Sequence, residues 1–299
     1  KIQHYTRLAT IPVCLVQSFV VTRLVDQLPA AITIPPLAFS LIAMLTVTTG
    51  TIFLMWMGEQ ITQRGVGNGI SLIIFAGIVA RIPEAVLTMV KMASDKTQDL
   101  NPVFVILILG MFVGVVTLVI YEQQGQRKIP VHYAKRIIGR KMYGSQNTYL
   151  PFKINPSGVI PVIFASAIIS FPVQIAHSLG QKFPWLNNVA NFLRYDGVPY
   201  MVIYALLIIF FAYFYTQVTL NPFDMAKNIR ENGGSIPGIR SEKMESYLNR
   251  ILTRIVLPGS IFLACIALIP TIIQVIFHFP PKVAMLLGGT SLIIMVGVD

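Results

Sequence analysis

Apolar stretches long enough to cross a lipid bilayer recur along the whole sequence, and they limit the possible folds more than any other feature. A membrane span needs about 20 mostly apolar residues. Only 12% of the residues are charged, whereas ordinary soluble domains are about 25% charged. The sequence therefore predicts a polytopic helical membrane protein with eight spans, Leu8–Leu24, Leu37–Met57, Ile70–Val90, Pro102–Tyr121, Gly158–Leu179, Pro199–Leu220, Ile251–Ile276 and Val283–Val298.

The segments that connect these spans differ in basic content from one side of the membrane to the other. Sixteen of the 23 Lys and Arg residues fall on the side of the N-terminus, against seven on the opposite side. Because cytoplasmic connections carry the Lys and Arg excess, the N-terminal end is predicted to be cytoplasmic. The same bias explains most of the net charge of +11 without a nucleic-acid partner.

Two cytoplasmic connections, residues 122–156 and 221–250, are much longer than typical helix connections. Their Ile, Val, Tyr and Pro content predicts ordered hairpins or short helices. In the second, Asn221-Pro222 precedes a predicted helix over Asp224–Glu231, and the SIPGIR segment is predicted to turn. The basic residues either set topology alone or form a docking surface for a polyanion such as RNA. The length of both loops favours docking.

No motif in the sequence supports catalysis or metal binding. The four histidines, His4, His132, His177 and His278, do not have the spacing of a metal site. Cys14 and Cys265 lie in apolar spans and are predicted to be inert thiols. No phosphate-binding loop or catalytic pair of carboxylates is present. We therefore expect no cofactor, no metal and no enzymatic activity.

The composition of the spans leaves three function classes open. Their interiors contain almost no charge, which disfavours an ion-coupled secondary transporter. Pro161, Pro172 and the small residues of TVTTGT, Thr46–Thr51, suit either plain bundle packing or movable helices around an apolar constriction. A receptor or scaffold that uses only the loops is the third class.

Five long segments of the chain are distinctive: MWMGEQITQRGVGNGISLIIFAGIVARIP at Met55–Pro83, QRKIPVHYAKR at Gln126–Arg136, NPSGVIPVIFASAII at Asn155–Ile169, NPFDMAKNIRENGGSIPGIR at Asn221–Arg240 and LGGTSLIIMV at Leu287–Val296. Together they resemble the SecY family, whose members are the pore subunit of the bacterial-type Sec translocon. The segments are in family order and the resemblance covers essentially the whole chain. It places the chain at the third to tenth of the family's ten spans, with the first two spans absent.

The resemblance implies an all-α polytopic bundle of two pseudo-symmetric halves around a central pore. Residues 1–100 would form the remainder of the N-terminal half, and residues 101–299 the C-terminal half with both long loops. The implied function is to conduct unfolded polypeptides across the membrane and to release transmembrane segments sideways into lipid. The expected location is the cell inner membrane, in preference to a plastid thylakoid membrane.

The resemblance also assigns roles to individual residues. Ile74, Ile163 and Ile294 match the apolar pore ring, and Asn155 and Gln17 match polar lateral-gate positions. The implied docking residues for cytoplasmic partners are Arg127, Lys128, Lys135, Arg136, Arg140 and Arg240. The implied partners are small membrane subunits of the SecE and SecG type, the SecA motor ATPase, the ribosome, signal peptides and nascent chains, and the lipid bilayer.

Overall fold

The computed structural model describes residues 2–25, 35–65, 67–80, 83–84, 87, 102–133, 136–138, 141–143, 147–180, 183–195 and 197–277. Packing divides the chain into two compact units. The first unit comprises Lys1–Leu87, Ser166–Val202 and Val298–Asp299, and the second comprises Thr88–Ala165 and Ile203–Gly297. The predicted division near residue 100 into pseudo-symmetric halves remains a prediction.

The first unit is built from helices. They are α1 (Ile2–Val25), α2 (Pro36–Arg64), α3 (Gly69–Val79), the C-terminal part of α5 (Ile160–Leu179), the short α6 (Pro184–Phe192) and the first turn of α7 (Val198–Thr219). Thr62 fixes the tight turn between α2 and α3, because its Oγ1 donates to the Gly58 carbonyl at 2.9 Å and accepts from the Gly69 N–H at 2.8 Å. A Cβ on Gly69 would overlap the Gly58 carbonyl oxygen, so only glycine permits this close approach.

The second unit combines long helices with small sheets. Its elements are α4 (Pro102–Gln124), β1 (Gln126–Tyr133), β2 (Arg136–Ile138), β3 (Lys141–Tyr143), β4 (Asn147–Lys153), the N-terminal part of α5, most of α7, α8 (Pro222–Glu231), β5 (Gly234–Ser235), a 3-10 turn (Ser241–Lys243) and α9 (Met244–Phe277). Strands β4, β1 and β5 form one antiparallel sheet in that order, and β2 pairs with β3.

The helices account for most of the predicted spans. Three described helical segments are long and apolar enough to cross a membrane, Leu37–Arg64, Val198–Glu231 and Ser241–Ile272, and shorter apolar helices cover Leu8–Arg23, Gly69–Val79 and Ile160–Ala176. Helix α9 contains the whole predicted span Ile251–Ile276 and extends beyond it, since the helix already begins at Met244. The predicted span Val283–Val298 lies outside the described residues.

The described parts of both long loops are ordered, as their composition predicts. The first contains the β1–β4 pairing, in which Gln126 lies opposite Lys153 and His132 opposite Asn147. The predicted short helix of the second loop is confirmed as α8, which begins two residues earlier than expected. It starts at Pro222 because the Asn221 side chain accepts a hydrogen bond from the Phe223 N–H at 3.1 Å and caps the first turn.

Candidate functional site

One hydrophobic core joins both long loops to the start of α9. The sheet contributes buried side chains such as Phe152, α8 contributes Ile229, and the first turns of α9 contribute Leu248. The full set is Ile129, Val131, Phe152, Ala226, Ile229, Ile236, Met244, Leu248, Ile251, Leu252 and Ile255. Strand β1 of the first loop also pairs with β5 of the second, with His132 opposite Ser235. The two loops therefore form a single folded body, here called the loop module.

Strand β1 shows which basic residues of the loop module face outward. Ile129 and Val131 are buried, whereas Lys128, Pro130 and His132 are exposed. Neighbouring residues of a strand point to opposite faces, so Arg127 does not share the outer face with Lys128, although it too is exposed at the end of the strand.

Lys153 was not among the residues that the resemblance assigned to docking. It lies opposite Gln126, on the outer face of the sheet that also carries Lys128. The register of β1 against β4 places these two lysines on one face of the sheet. Sequence reasoning missed Lys153 because no local signal specifies which residues of the two strands lie opposite each other. Of the other predicted docking residues, Arg136 begins β2, whereas Lys135 and Arg140 lie outside the described residues.

Arg240 follows a tight turn that is anchored in the core of the loop module. Ile236 is buried, and its carbonyl accepts a hydrogen bond from the Ile239 N–H at 3.1 Å. Gly238 has φ +78°, a left-handed conformation that side chains with a Cβ adopt rarely. The Arg240 side chain is exposed, and its carbonyl accepts from the Lys243 N–H at 2.9 Å. The turn thus holds an arginine at a fixed position on the surface.

Asn155 is buried at the junction between β4 and α5. Its Nδ2 donates to the Gly158 carbonyl at 3.1 Å, and its Oδ1 accepts from the Ser157 hydroxyl at 2.9 Å. Gly158 has φ +59°, so the chain turns sharply before α5. The described contacts give Asn155 a local role in shaping the entrance to α5, beside any role in a lateral gate.

Two glycines let other elements approach this junction closely. A Cβ on Gly125 would overlap the Cδ1 of Ile154. The Gly125 carbonyl accepts from the Ile154 N–H at 2.9 Å, which ties the end of α4 to the end of β4. A Cβ on Gly259 of α9 would lie 2.6 Å from the Ile154 carbonyl oxygen, so this position also requires glycine. The junction is therefore held between α4 and α9.

Glu122 is a buried carboxyl group beside this junction, and sequence reasoning gave it no role. It lies one residue beyond the predicted span Pro102–Tyr121 and is only 7% exposed. Among the described residues, neither carboxyl oxygen has a hydrogen-bond partner of good geometry. Burial raises the pKa of Glu122 to about 7, and the neighbouring Asn155 side chain opposes that rise. The sequence offered one indication of this buried carboxyl group, because Glu122 is an acidic residue directly after an apolar span.

We expect Glu122→Gln to make the stability of the protein less dependent on pH. Glu122 has its ordinary pKa of 4.5 in the unfolded chain and about 7 in the folded chain. Between these two pH values the folded state holds a proton on Glu122 that the unfolded state has released. The contribution of the protonated Glu122 to the free energy of unfolding is therefore complete below pH 4.5 and is lost as the pH rises to about 7. Thermal unfolding in detergent at several pH values between these limits and above them measures the effect.

The matched control is Glu245→Gln, which removes an exposed carboxyl group from the first turn of α9. This variant should keep the pH profile of the parent protein, whereas Glu122→Gln should lose the decline in unfolding temperature between pH 4.5 and about 7. Parallel pH profiles for the parent and Glu122→Gln would show that the buried carboxyl is not responsible.

The predicted pore and gate residues are distributed over both units. Ile74 is half-buried on α3 in the first unit, and Ile163 is half-buried on α5 in the second unit. Ile294 lies outside the described residues. Gln17 is exposed on α1, next to the buried Ser18, whose hydroxyl lies 3.4 Å from the Thr48 hydroxyl of α2. The pore ring and the lateral gate remain predictions.

The described residues contain no group of three or more His, Cys, Asp or Glu side chains that could hold a metal ion. Cys14 and Cys265 are both free thiols. The most developed feature of the described chain is the loop module, a folded body that carries exposed basic side chains.

Comparisons with known proteins agree with the helical membrane fold and with the sequence resemblance. The SecY family profile matches residues 1–299. The protein translocase subunit SecY of Borreliella burgdorferi is 47% identical over 301 residues, which are 100% of this chain and 68% of that protein. The subunit of the same name from Escherichia coli K12 is 40% identical over 302 residues, 99% of this chain and 67% of that protein.

Solved structures share the fold at lower sequence identity. One, described as showing that the plug domain of the SecY protein stabilises the closed channel, has a TM-score of 0.70 at 21% identity and covers 99% of this chain and 71% of the solved chain. Another, described as a protein-conducting channel, has a TM-score of 0.68 at 20% identity and covers 98% of this chain and 69% of the solved chain. With a matching family profile over its full length and relatives of 40% identity or more, this multi-pass membrane protein belongs to the SecY family.

Proposed function

We propose that this chain is the central channel subunit of a Sec translocon, which conducts unfolded polypeptides across the membrane and releases transmembrane segments sideways into lipid. The observation that carries the proposal is the loop module. Both long loops share one core and one sheet, and together they present exposed Lys128, Lys153 and Arg240. A small-solute transporter has no need of such a large ordered cytoplasmic body. The names of the relatives support the same function.

We propose that the channel has no catalytic activity and that its partners supply the energy. Candidate partners are the SecA motor ATPase and the ribosome, which would dock on the loop module. Lys128 and Arg127 can neutralise phosphates of ribosomal RNA, and Arg240 can form two parallel hydrogen bonds with a carboxylate or phosphate. Small membrane subunits of the SecE and SecG type would complete the assembly in the cell inner membrane, with the N-terminal end of this chain in the cytoplasm.

Ile74, Ile163 and Ile294 are proposed to form the pore ring. Their aliphatic side chains would exclude water and ions when the channel is idle, and would move apart around a passing polypeptide. Asn155 and Gln17 are proposed to lie at the lateral gate. The buried turn that Asn155 forms with Ser157 and Gly158 would then set the position of the cytoplasmic end of α5.

Reconstitution of the full-length protein with its partner subunits in liposomes tests the proposed function. Transport of an unfolded preprotein that depends on SecA or on a translating ribosome is the expected result. Uptake of small solutes without polypeptide transport would favour a secondary transporter. Binding of partners with neither activity would favour a docking scaffold.

A disulfide engineered between α1 and the N-terminal half of α5 tests lateral release. If the two helices flank the gate, the crosslink should block the insertion of apolar segments into lipid, and reduction of the disulfide should restore it. The same cysteines introduced singly serve as the control for side-chain replacement. Normal insertion of membrane proteins through a fully crosslinked channel would show that the gate lies elsewhere.

A further inference from the structure

The short helix α6 lies between two membrane-spanning helices. Helix α5 ends at Leu179, α6 covers Pro184–Phe192, and α7 begins at Val198. Four residues precede α6 and five follow it. A fully extended chain covers at most about 3.6 Å per residue, so five residues reach no more than about 18 Å. The connections therefore keep α6 within about 18 Å of the ends of both spans.

The side chains of α6 separate into three stripes along the helix. Because successive helical residues are rotated by about 100°, Leu186, Val189 and Leu193 share one face, and this face is buried or half-buried. Trp185 and Phe192 are seven residues apart on a second face, and they are 63% and 57% exposed. The third face carries the exposed amides Asn187 and Asn191, and the exposed Asn188 lies at the border between this face and the aromatic face.

One contact of α6 and one contact of the segment that follows it tie this region to α5 and α7. The Asn187 Nδ2 donates to the Gly180 carbonyl at 3.3 Å. A Cβ on Gly180 would overlap the Asn187 side chain and would lie 2.5 Å from the Ala176 carbonyl oxygen. Beyond the other end, the ring of Tyr195 lies 5.1 Å from the ring of Tyr200 in the first turn of α7. The aromatic face therefore has a defined direction relative to the neighbouring spans.

We propose that α6 is a membrane-interface helix whose Trp185 and Phe192 insert among the lipid headgroups of the leaflet in which α5 ends and α7 begins. Tryptophan favours this layer because its ring is apolar while its N–H can bind water or lipid oxygens. The aliphatic face packs on the protein, the aromatic face enters lipid, and the asparagine face meets water, a division typical of helices lying in a bilayer surface. The proposal is independent of polypeptide transport.

Fluorescence of Trp185 in the reconstituted full-length protein tests the proposal. The signal that is lost in Trp185→Phe identifies the contribution of this residue. We expect it to be quenched more strongly by phosphatidylcholine brominated near the headgroup than by lipid brominated deep in the acyl chain, and only weakly by aqueous iodide. Efficient iodide quenching without lipid quenching would place Trp185 in water and overturn the proposal.

A matched pair of variants tests the direction of the helix. In the Trp185→Phe background, Phe192→Trp places a tryptophan on the aromatic face, and Asn191→Trp places one on the asparagine face one residue away. The first should be quenched by shallow brominated lipid and the second by iodide. Equal lipid quenching at both positions would contradict the assigned orientation. Protection from both quenchers at Trp185 and at residue 192 would show that a protein partner covers this face instead.

Discussion

Replacing Arg240 by glutamate should reduce partner-driven translocation at least tenfold while leaving folding and membrane insertion of the channel unchanged. Arg240 is exposed and follows a turn that is anchored by buried Ile236 and shaped by Gly238. The change reverses a charge whose backbone position the turn fixes, so a carboxylate or phosphate of the partner would meet repulsion in place of paired hydrogen bonds. A tenfold loss in rate corresponds to about 1.4 kcal/mol. Translocation rates with SecA and with translating ribosomes measure the effect.

Lys243→Glu is the matched control for this experiment. It makes the same change of charge three residues away, in the exposed 3-10 turn that follows Arg240. Arg240→Lys keeps the charge but removes the planar pair of donors, so it should be intermediate if the contact is bidentate. Rates like those of the parent with both SecA and the ribosome would remove Arg240 from the docking surface. Equal losses for Arg240→Glu and Lys243→Glu would indicate a general charge effect.

Much of the architecture was predictable because its signals are local. Apolar runs marked the spans, and Asn221-Pro222 with the following glycines marked helix α8. The early start of α9 also had a local signal, since Met244, Leu248, Ile251 and Ile255 repeat at helical spacing and are all buried. This apolar stripe was hidden by the charged residues between its members, which made the segment look like loop.

The loop module was less predictable because its contacts are distant in the sequence. The pairing of His132 with Ser235 joins segments about one hundred residues apart, and no local pattern selects that partner. The outward position of Lys153 depends on the same sheet, since a shift of one residue in register would turn the side chain to the other face. Composition suggested order in both loops, but only the shared core shows that they form one body.

The candidate site also combines residues that the sequence indicates with contacts that only the packing reveals. The resemblance directed attention to Asn155, whereas its bonds to Ser157 and Gly158 and the buried carboxyl of Glu122 beside it emerge only from packing. Gly125 and Gly259 were ordinary residues in the sequence, and their roles depend on how closely the chain approaches Ile154.

Replacing Ile163 by asparagine should increase ion leakage through the idle channel by roughly tenfold, because a polar side chain in an apolar constriction allows water to enter. Ile163 lies in the first turn of α5, between the fully buried Val162 and the exposed Phe164. Its half-buried position is compatible with a side chain that lines an opening. Conductance of the reconstituted channel, and its tolerance of preproteins with defective signal sequences, measure the effect.

Ile168→Asn provides the matched control, because the residue is on the same helix and its side chain is 46% exposed. The substitution introduces the same amide in place of the same apolar side chain. If Ile163 belongs to the seal, Ile163→Asn should raise leakage and relax substrate stringency, whereas Ile168→Asn should do neither at equal channel density. Similar leakage from both variants would mean that any polar group in α5 disturbs the bundle. An unchanged seal in Ile163→Asn would remove this residue from the pore ring, since a half-buried isoleucine that only packs against neighbouring helices has no contact with the ion pathway.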